Sequence, residues 1–156
     1  FVDKISYVNN ANEEIETVGK INLKHEAVAD KKFEAQLGQA TPESSSDLIT
    51  LKTYEPNRLV YNVTSKNGGI IVFSEIYYPG WTATIDGQEA ELGRANYILR
   101  ALNVKPGKHE VVLDFHPASL RKTEGIAYAS YGVLALILLL GILMEMKKRK
   151  AANDMK

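Results

Sequence analysis

The sequence predicts a mainly β fold: an antiparallel β-sandwich of jelly-roll or carbohydrate-binding-module type with a small N-terminal helical insertion, followed by one C-terminal transmembrane helix. Three observations carry that expectation. From Asp47 to His116, short segments rich in Ile, Val, Tyr and Thr alternate with turn residues. Asp86-Gly87 lies between two of those segments, and two-residue loops of that type close hairpins. Gly125 to Met144, GIAYASYGVLALILLLGILM, holds twenty residues without a charge.

That run sets the context for everything before it. At about 1.5 Å per residue, a twenty-residue helix spans the ~30 Å hydrocarbon layer, and only an internally hydrogen-bonded helix can present its backbone to lipid. A buried helix of a soluble protein would show a polar stripe every three or four residues, and Val133 to Met144 has none. Tyr128 and Tyr131 stand near the start of the run, where amphipathic rings favour the headgroup level. Arg121 and Lys122 precede the span, whereas Lys147, Lys148, Arg149 and Lys150 follow it, so the tail is expected in the cytoplasm. The expected organisation is an extracytoplasmic domain over 1–116, a juxtamembrane segment over 117–124, a span over 125–144 and a basic cytoplasmic tail over 145–156. A domain so placed needs an export signal or earlier spans. The chain, which begins at Phe1, is therefore expected to be the C-terminal part of a longer polypeptide.

Within the domain, Lys4 to Val8 reads as a strand. Asn10 to Lys20 reads as a short polar helix opened by an asparagine cap with acids in its first turn. Thr41-Pro42 and Ser44 to Ser46 mark a loop. Leu48 to Tyr54, Arg58 to Ser65 and Gly69 to Tyr77 alternate with a period near two and are separated by Glu55-Pro56-Asn57 and Asn67-Gly68, both read as hairpin connections. Trp81 to Ile85 and Gln88 to Leu92 flank the Asp86-Gly87 turn. Asn96 to Leu102 and His109 to Phe115 are read as a further hairpin through Lys105-Pro106-Gly107-Lys108. In the last strand Val111, Leu113 and Phe115 share one face, and Val112, Asp114 and His116 share the other.

Composition narrows the function. Nineteen basic and nineteen acidic residues cancel, and no basic stripe with interleaved aromatics appears, so nucleic acid is not an expected partner. The chain has no cysteine, which removes disulfides, thiolate metal sites and thiol nucleophiles. His25, His109 and His116 stand at no ligand spacing from one another, so no metal is expected. Ser44 to Ser46 has no nucleophile elbow, Gly68-Gly69 leads into no helix, and Glu89 and Glu91 share one strand face with no opposing acid. Asn62-Val63-Thr64 matches a glycosylation sequon in mid-strand.

The stretch from Ser74 to His116 carries Tyr78-Pro79-Gly80-Trp81, Asp86-Gly87, Arg94-Ala95-Asn96, Arg100, and Pro106-Gly107 with His109, and ends in a strand leading to a terminal membrane helix. This pattern resembles the C-terminal extracytoplasmic region of the bacterial YfhO-type membrane proteins. The opening FVDKISYVNNANEEIE is similar to the Bacteroidetes branch of that family. The resemblance implies a large polytopic protein of the bacterial cytoplasmic membrane, grouped with the GT-C glycosyltransferases that draw on polyprenyl-phosphate-linked sugars. It implies an envelope glycan or the lipid-linked sugar as ligand, and the bilayer and the N-terminal transmembrane region as partners. In such enzymes the catalytic acids lie in the first outside loops, so no catalytic residue and no cofactor is assigned to this stretch.

The candidate ligand contacts are Tyr78, Trp81, Asp86, Arg94, Asn96 and Arg100. Aromatics at a loop mouth suit a sugar ring, with polar side chains for its hydroxyls. Each has a structural reading beside it. Trp81 starts an alternating strand whose next same-face residues are Ala83 and Ile85, which favours a core plug. Arg94 follows Gly93 at a bend, where its fork can clamp carbonyls or Asp86. The expected role is an accessory, non-catalytic domain and anchor; the alternative is a membrane-tethered adhesion or protein-interaction module.

Overall fold

The computed structural model describes residues 1–153, with side chains described for 1–117 and 123–147. The chain divides into two compact units after His116.

The first unit has three layers. One is a five-stranded antiparallel sheet in the order β3-β4-β10-β6-β7, formed by β3 (Leu48–Glu55), β4 (Arg58–Ser65), β6 (Trp81–Ile85), β7 (Gln88–Ala90) and β10 (Gly107–Phe115). The middle layer is a three-stranded antiparallel sheet, β5-β9-β8, from β5 (Gly69–Ile76), β8 (Gly93–Ala95) and β9 (Leu99–Val104). The outer layer is the N-terminal segment: β1 (Lys4–Val8), α1 (Ala11–Val18), β2 (Glu26–Asp30), a 3-10 turn at Lys31–Phe33 and α2 (Glu34–Leu37). Here β1 and β2 pair in parallel, and Val2 bridges Ile70 of β5.

Strand alternation explains why the middle sheet is covered twice. Ile71, Phe73, Leu102 and Val104 face the five-stranded sheet and pack with Leu59, Val63, Ala83, Val111 and Leu113. Ile70 and Ala101, one residue out of phase, face the other way and pack with Val2, Ile5, Ala27, Phe33 and Leu37. Each fully buried aliphatic side chain contributes about 1.5–3 kcal/mol, so both interfaces are needed by a domain of this size. The helical segment is thus the lid of a second core. It begins as the sequence predicts: Asn10 Oδ1 accepts from Glu13 N at 3.0 Å, and Glu13 Oε2 accepts from Asn9 N at 3.0 Å.

Two hairpin expectations are corrected. The β3-β4 and β6-β7 hairpins form, but β4 and β5 lie in different sheets, and so do β9 and β10. Gly68, at φ +73, turns the chain out of one sheet into the other, and a Cβ there would come within 2.7 Å of Val104 O. Ser65 Oγ donates to Gly68 O at 3.2 Å and closes that corner. The turn signals at Asn67-Gly68 and Pro106-Gly107 are real, but a turn names no partner strand. The strands β2 and β8, short and rich in alanine, were not expected from the sequence.

The second unit is α3 (Ala118–Asn153), 36 residues long. Thr123–Lys147 is long and apolar enough to cross a membrane, and none of its most apolar window is buried. Tyr128 and Tyr131 are exposed on it, as is Lys147. The side chains of Lys148, Arg149 and Lys150 lie outside the described residues.

Candidate functional site: an aromatic groove beside the Pro-Gly turn

The first unit carries a groove of about 650 Å³ against β6 and β7, lined in part by Tyr77, Tyr78, Trp81, Glu89 and Glu91. Its shape starts from a local instruction. Tyr78-Pro79-Gly80-Trp81 forms a turn in which Trp81 N donates to Tyr78 O at 3.4 Å, with Gly80 at φ +105. Proline presets the second position and glycine supplies the positive φ at the third, as a type II turn requires. Phe115, at the end of β10, packs against both rings the turn presents, with centroids 6.3 Å from Tyr78 and 5.2 Å from Trp81. The β6-β7 hairpin supplies the acidic wall. Asp86 at φ +52 and Gly87 at φ +80 make the primed turn the sequence predicts, and β7 then carries Glu89 into the groove lining.

Trp81 is half-buried, with its strand face in the core and part of its surface in the groove. The guanidinium of Arg100 sits 3.9 Å from its ring centroid. Arg100 is 2 % exposed and ion-paired with Glu75 at 3.2 Å, while its Nε and Nη1 are buried with no hydrogen-bond partner. Burial holds its pKa below the ordinary value, with Glu75 acting in the opposite sense. A guanidinium stays charged at neutral pH under such a shift, so a desolvated cation lies against the indole face. Tyr61, near the same charges, is pushed above its usual range by burial.

The other candidate residues are engaged by the domain itself. Asp86 Oδ2 bonds His109 Nδ1 at 2.7 Å and Asp86 Oδ1 accepts from Glu110 N at 2.8 Å, contacts that hold its carboxyl below the usual range, with the His109 bond the larger cause. Asn96, at φ +49, accepts from Val28 N and donates its own backbone N–H to Val28 O, capping the edge of β2. Arg94 donates to Tyr97 O at 2.6 Å and to Glu14 Oε2 at 2.6 Å; Asp86 is not its partner. Glu14 is fully buried and also accepts from Tyr97 N at 2.9 Å. Of the six candidates, Tyr78 and Trp81 line the groove. Tyr77, which the sequence sets beside Tyr78 and Trp81 at the same loop mouth, joins them; sequence reading missed Glu89 and Glu91 as companions, although both lie within a few residues of the Asp86-Gly87 turn. Among the described residues no group of three or more His, Cys, Asp or Glu is placed to hold a metal ion.

A β-rich domain is continued by one helix with the length and composition of a membrane span. The model of the bacterial membrane protein YfhO family matches residues 14–126, from within α1 to the start of the apolar helix, and the chain belongs to that family. No curated protein and no solved structure matches it.

Proposed function

We propose that this chain is the accessory, non-catalytic domain and C-terminal anchor of a polytopic YfhO-type protein that transfers sugar from a polyprenyl-phosphate carrier to a cell-envelope polymer. In this reading 1–116 lies outside the cytoplasmic membrane, the basic tail lies inside, and the groove holds a segment of the glycan. One observation carries the glycan assignment: Tyr77, Tyr78 and Trp81 meet Glu89 and Glu91 in a single cleft of about 650 Å³. That combination of ring faces with a few polar groups, in a cavity of ligand size, suits a sugar ring and its hydroxyls. The carboxylates stand on one wall, which suits hydroxyl binding and not paired-acid hydrolysis.

Trp81 is the only tryptophan, so its emission reports the groove directly. The test titrates the full chain in nanodiscs with oligosaccharides cut from the envelope polymer. Saturable emission shifts are expected, weakened by Tyr78→Ala, whose ring is 61 % exposed and whose loss leaves the core intact. Unchanged Trp81 emission together with no saturation transfer from protein to sugar rejects the glycan assignment. Trp81→Ala is the wrong probe, because it also removes the surface on which Arg100 rests.

The interaction-module alternative draws on a different feature. β3 is an eight-residue edge strand with Leu48, Leu51 and Tyr54 exposed, and an unpaired apolar edge is a template for a partner strand.

A further inference from the structure

We propose that the end of the first unit from which the chain departs toward α3 is a lipid-docking surface, with Ile76, Tyr78 and Ile98 entering the headgroup layer. The inference rests on α3 spanning the bilayer and is independent of sugar binding.

Connectivity supplies the first reason. Only eight residues, 117–124, separate the end of the first unit from the uncharged stretch that begins at Gly125. Such a segment covers about 12 Å as helix and at most roughly 28 Å when extended. The headgroup layer of each leaflet is itself about 5–8 Å deep. The last strand residue must therefore come close to the membrane surface.

The second reason is what that strand residue is fastened to. His116 N donates to Gly80 O at 2.8 Å, Phe115 N donates to Asn57 O at 2.9 Å, and Phe115 pairs with Trp81. The loops Tyr77–Gly80 and Pro56-Asn57 are consequently held at the departing end. Tyr77 N donates to Ile98 O at 2.7 Å, which brings the third loop, Asn96–Ile98, beside the first.

The third reason is chemical polarity. This end exposes Ile76 (61 %), Tyr78 (61 %) and Ile98 (49 %), two aliphatics and an amphipathic ring, beside the polar turn at Pro56-Asn57. The turns toward the other end of β10 present Lys66-Asn67, Asp86-Gly87 and Lys105-Pro106. At the interface Ile76, Ile98 and the Tyr78 ring leave water while the tyrosine hydroxyl stays among headgroups.

The cysteine-free sequence makes the test direct. Single-cysteine versions of the full chain, Tyr78→Cys, Ile98→Cys, Lys66→Cys and Leu139→Cys, are spin-labelled in lipid nanodiscs, and each label's accessibility to oxygen and to a water-soluble nickel chelate is compared. Labels at positions 78 and 98 are expected to lose nickel accessibility and retain oxygen accessibility relative to position 66, which stays in water. Nickel accessibility at 78 and 98 equal to that at 66 overturns the proposal. So does shielding from both reagents, which would mean contact between copies of the chain. Position 139 separates the premises: if it too is open to nickel, α3 is not in lipid and the membrane reading itself has failed.

Discussion

Removing the buried carboxylate of Glu14 strands two half-buried partners at once. Its Oε2 lies 2.6 Å from Arg94 Nη2 and its Oε1 lies 2.9 Å from Tyr97 N, while Arg94 Nη1 bonds Tyr97 O at 2.6 Å. The three residues close a loop of charge-assisted bonds around a turn in which Asn96 and Tyr97 both have positive φ, 49° and 72°. Conformations of that kind cost about 1–3 kcal/mol each for residues other than glycine and persist where surrounding contacts over-determine them. Breaking a buried ion pair by deleting one partner costs about 3–5 kcal/mol. The Arg94 side chain retains 19 % exposure and can recover some hydration, which places Glu14→Ala near the lower bound, at ~3 kcal/mol. Arg94→Ala also loses its contacts with the Phe33 and Tyr97 rings and should cost at least as much. The double variant removes both charges together, so it should be only slightly worse than Arg94→Ala, with a coupling of about 2 kcal/mol. Urea unfolding of the detergent-solubilised chain, followed by Trp81 emission, measures the cycle. Effects that add to within ~0.5 kcal/mol would show that the pair is incidental and refute the reasoning.

Two further outcomes follow from close contacts and from titration. Gly93 is buried where a Cβ would meet the Leu37 side chain at 2.6–2.8 Å, and Leu37 is itself fully buried, so Gly93→Ala should cost about 1–3 kcal/mol by overpacking, read as a lower urea midpoint at unchanged slope. Asp3, Asp47 and Asp86 each hold a carboxyl below the ordinary 3.8, chiefly through backbone N–H bonds at Asp3 and Asp47 and the His109 bond at Asp86. A depressed folded pKa adds stability that is complete above the unfolded value. Thermal midpoints should therefore be flat with respect to these groups above about pH 5 and fall as pH drops through 4 and below, less steeply in Asp47→Asn.

Much of the domain was legible because its signals are local. The Asp86-Gly87 turn, the Asn10 helix cap, the proline and glycine before Trp81, and the alternation in β4 and β10 each depend on neighbours a few residues away, and each formed where expected. Trp81 packs against the core, as its strand alternation predicts, and it also lines the groove. The two sheet assignments failed where alternation says which face of a strand is apolar and nothing about which strand lies beside it. Arg94 pairs with Glu14, 80 positions away in a helix that the sequence marks only as polar, so no local spacing could join the two. Glu14 carries no local mark that separates it from Glu13 and Glu16.

By itself, the sequence determined that one segment is long and apolar enough to cross a bilayer, that the preceding chain is built of short strands, and where several of its turns fall. Those properties are set by the hydropathy of a contiguous run and by the φ preferences of individual residues, neither of which needs a distant partner. Only the tertiary structure decided that the middle sheet is covered on both faces, that Arg100 rests against Trp81, and that the Tyr78 loop is tied to the end of β10. Each of those depends on contacts between residues far apart in the chain, chosen by which buried surfaces and charges fit together.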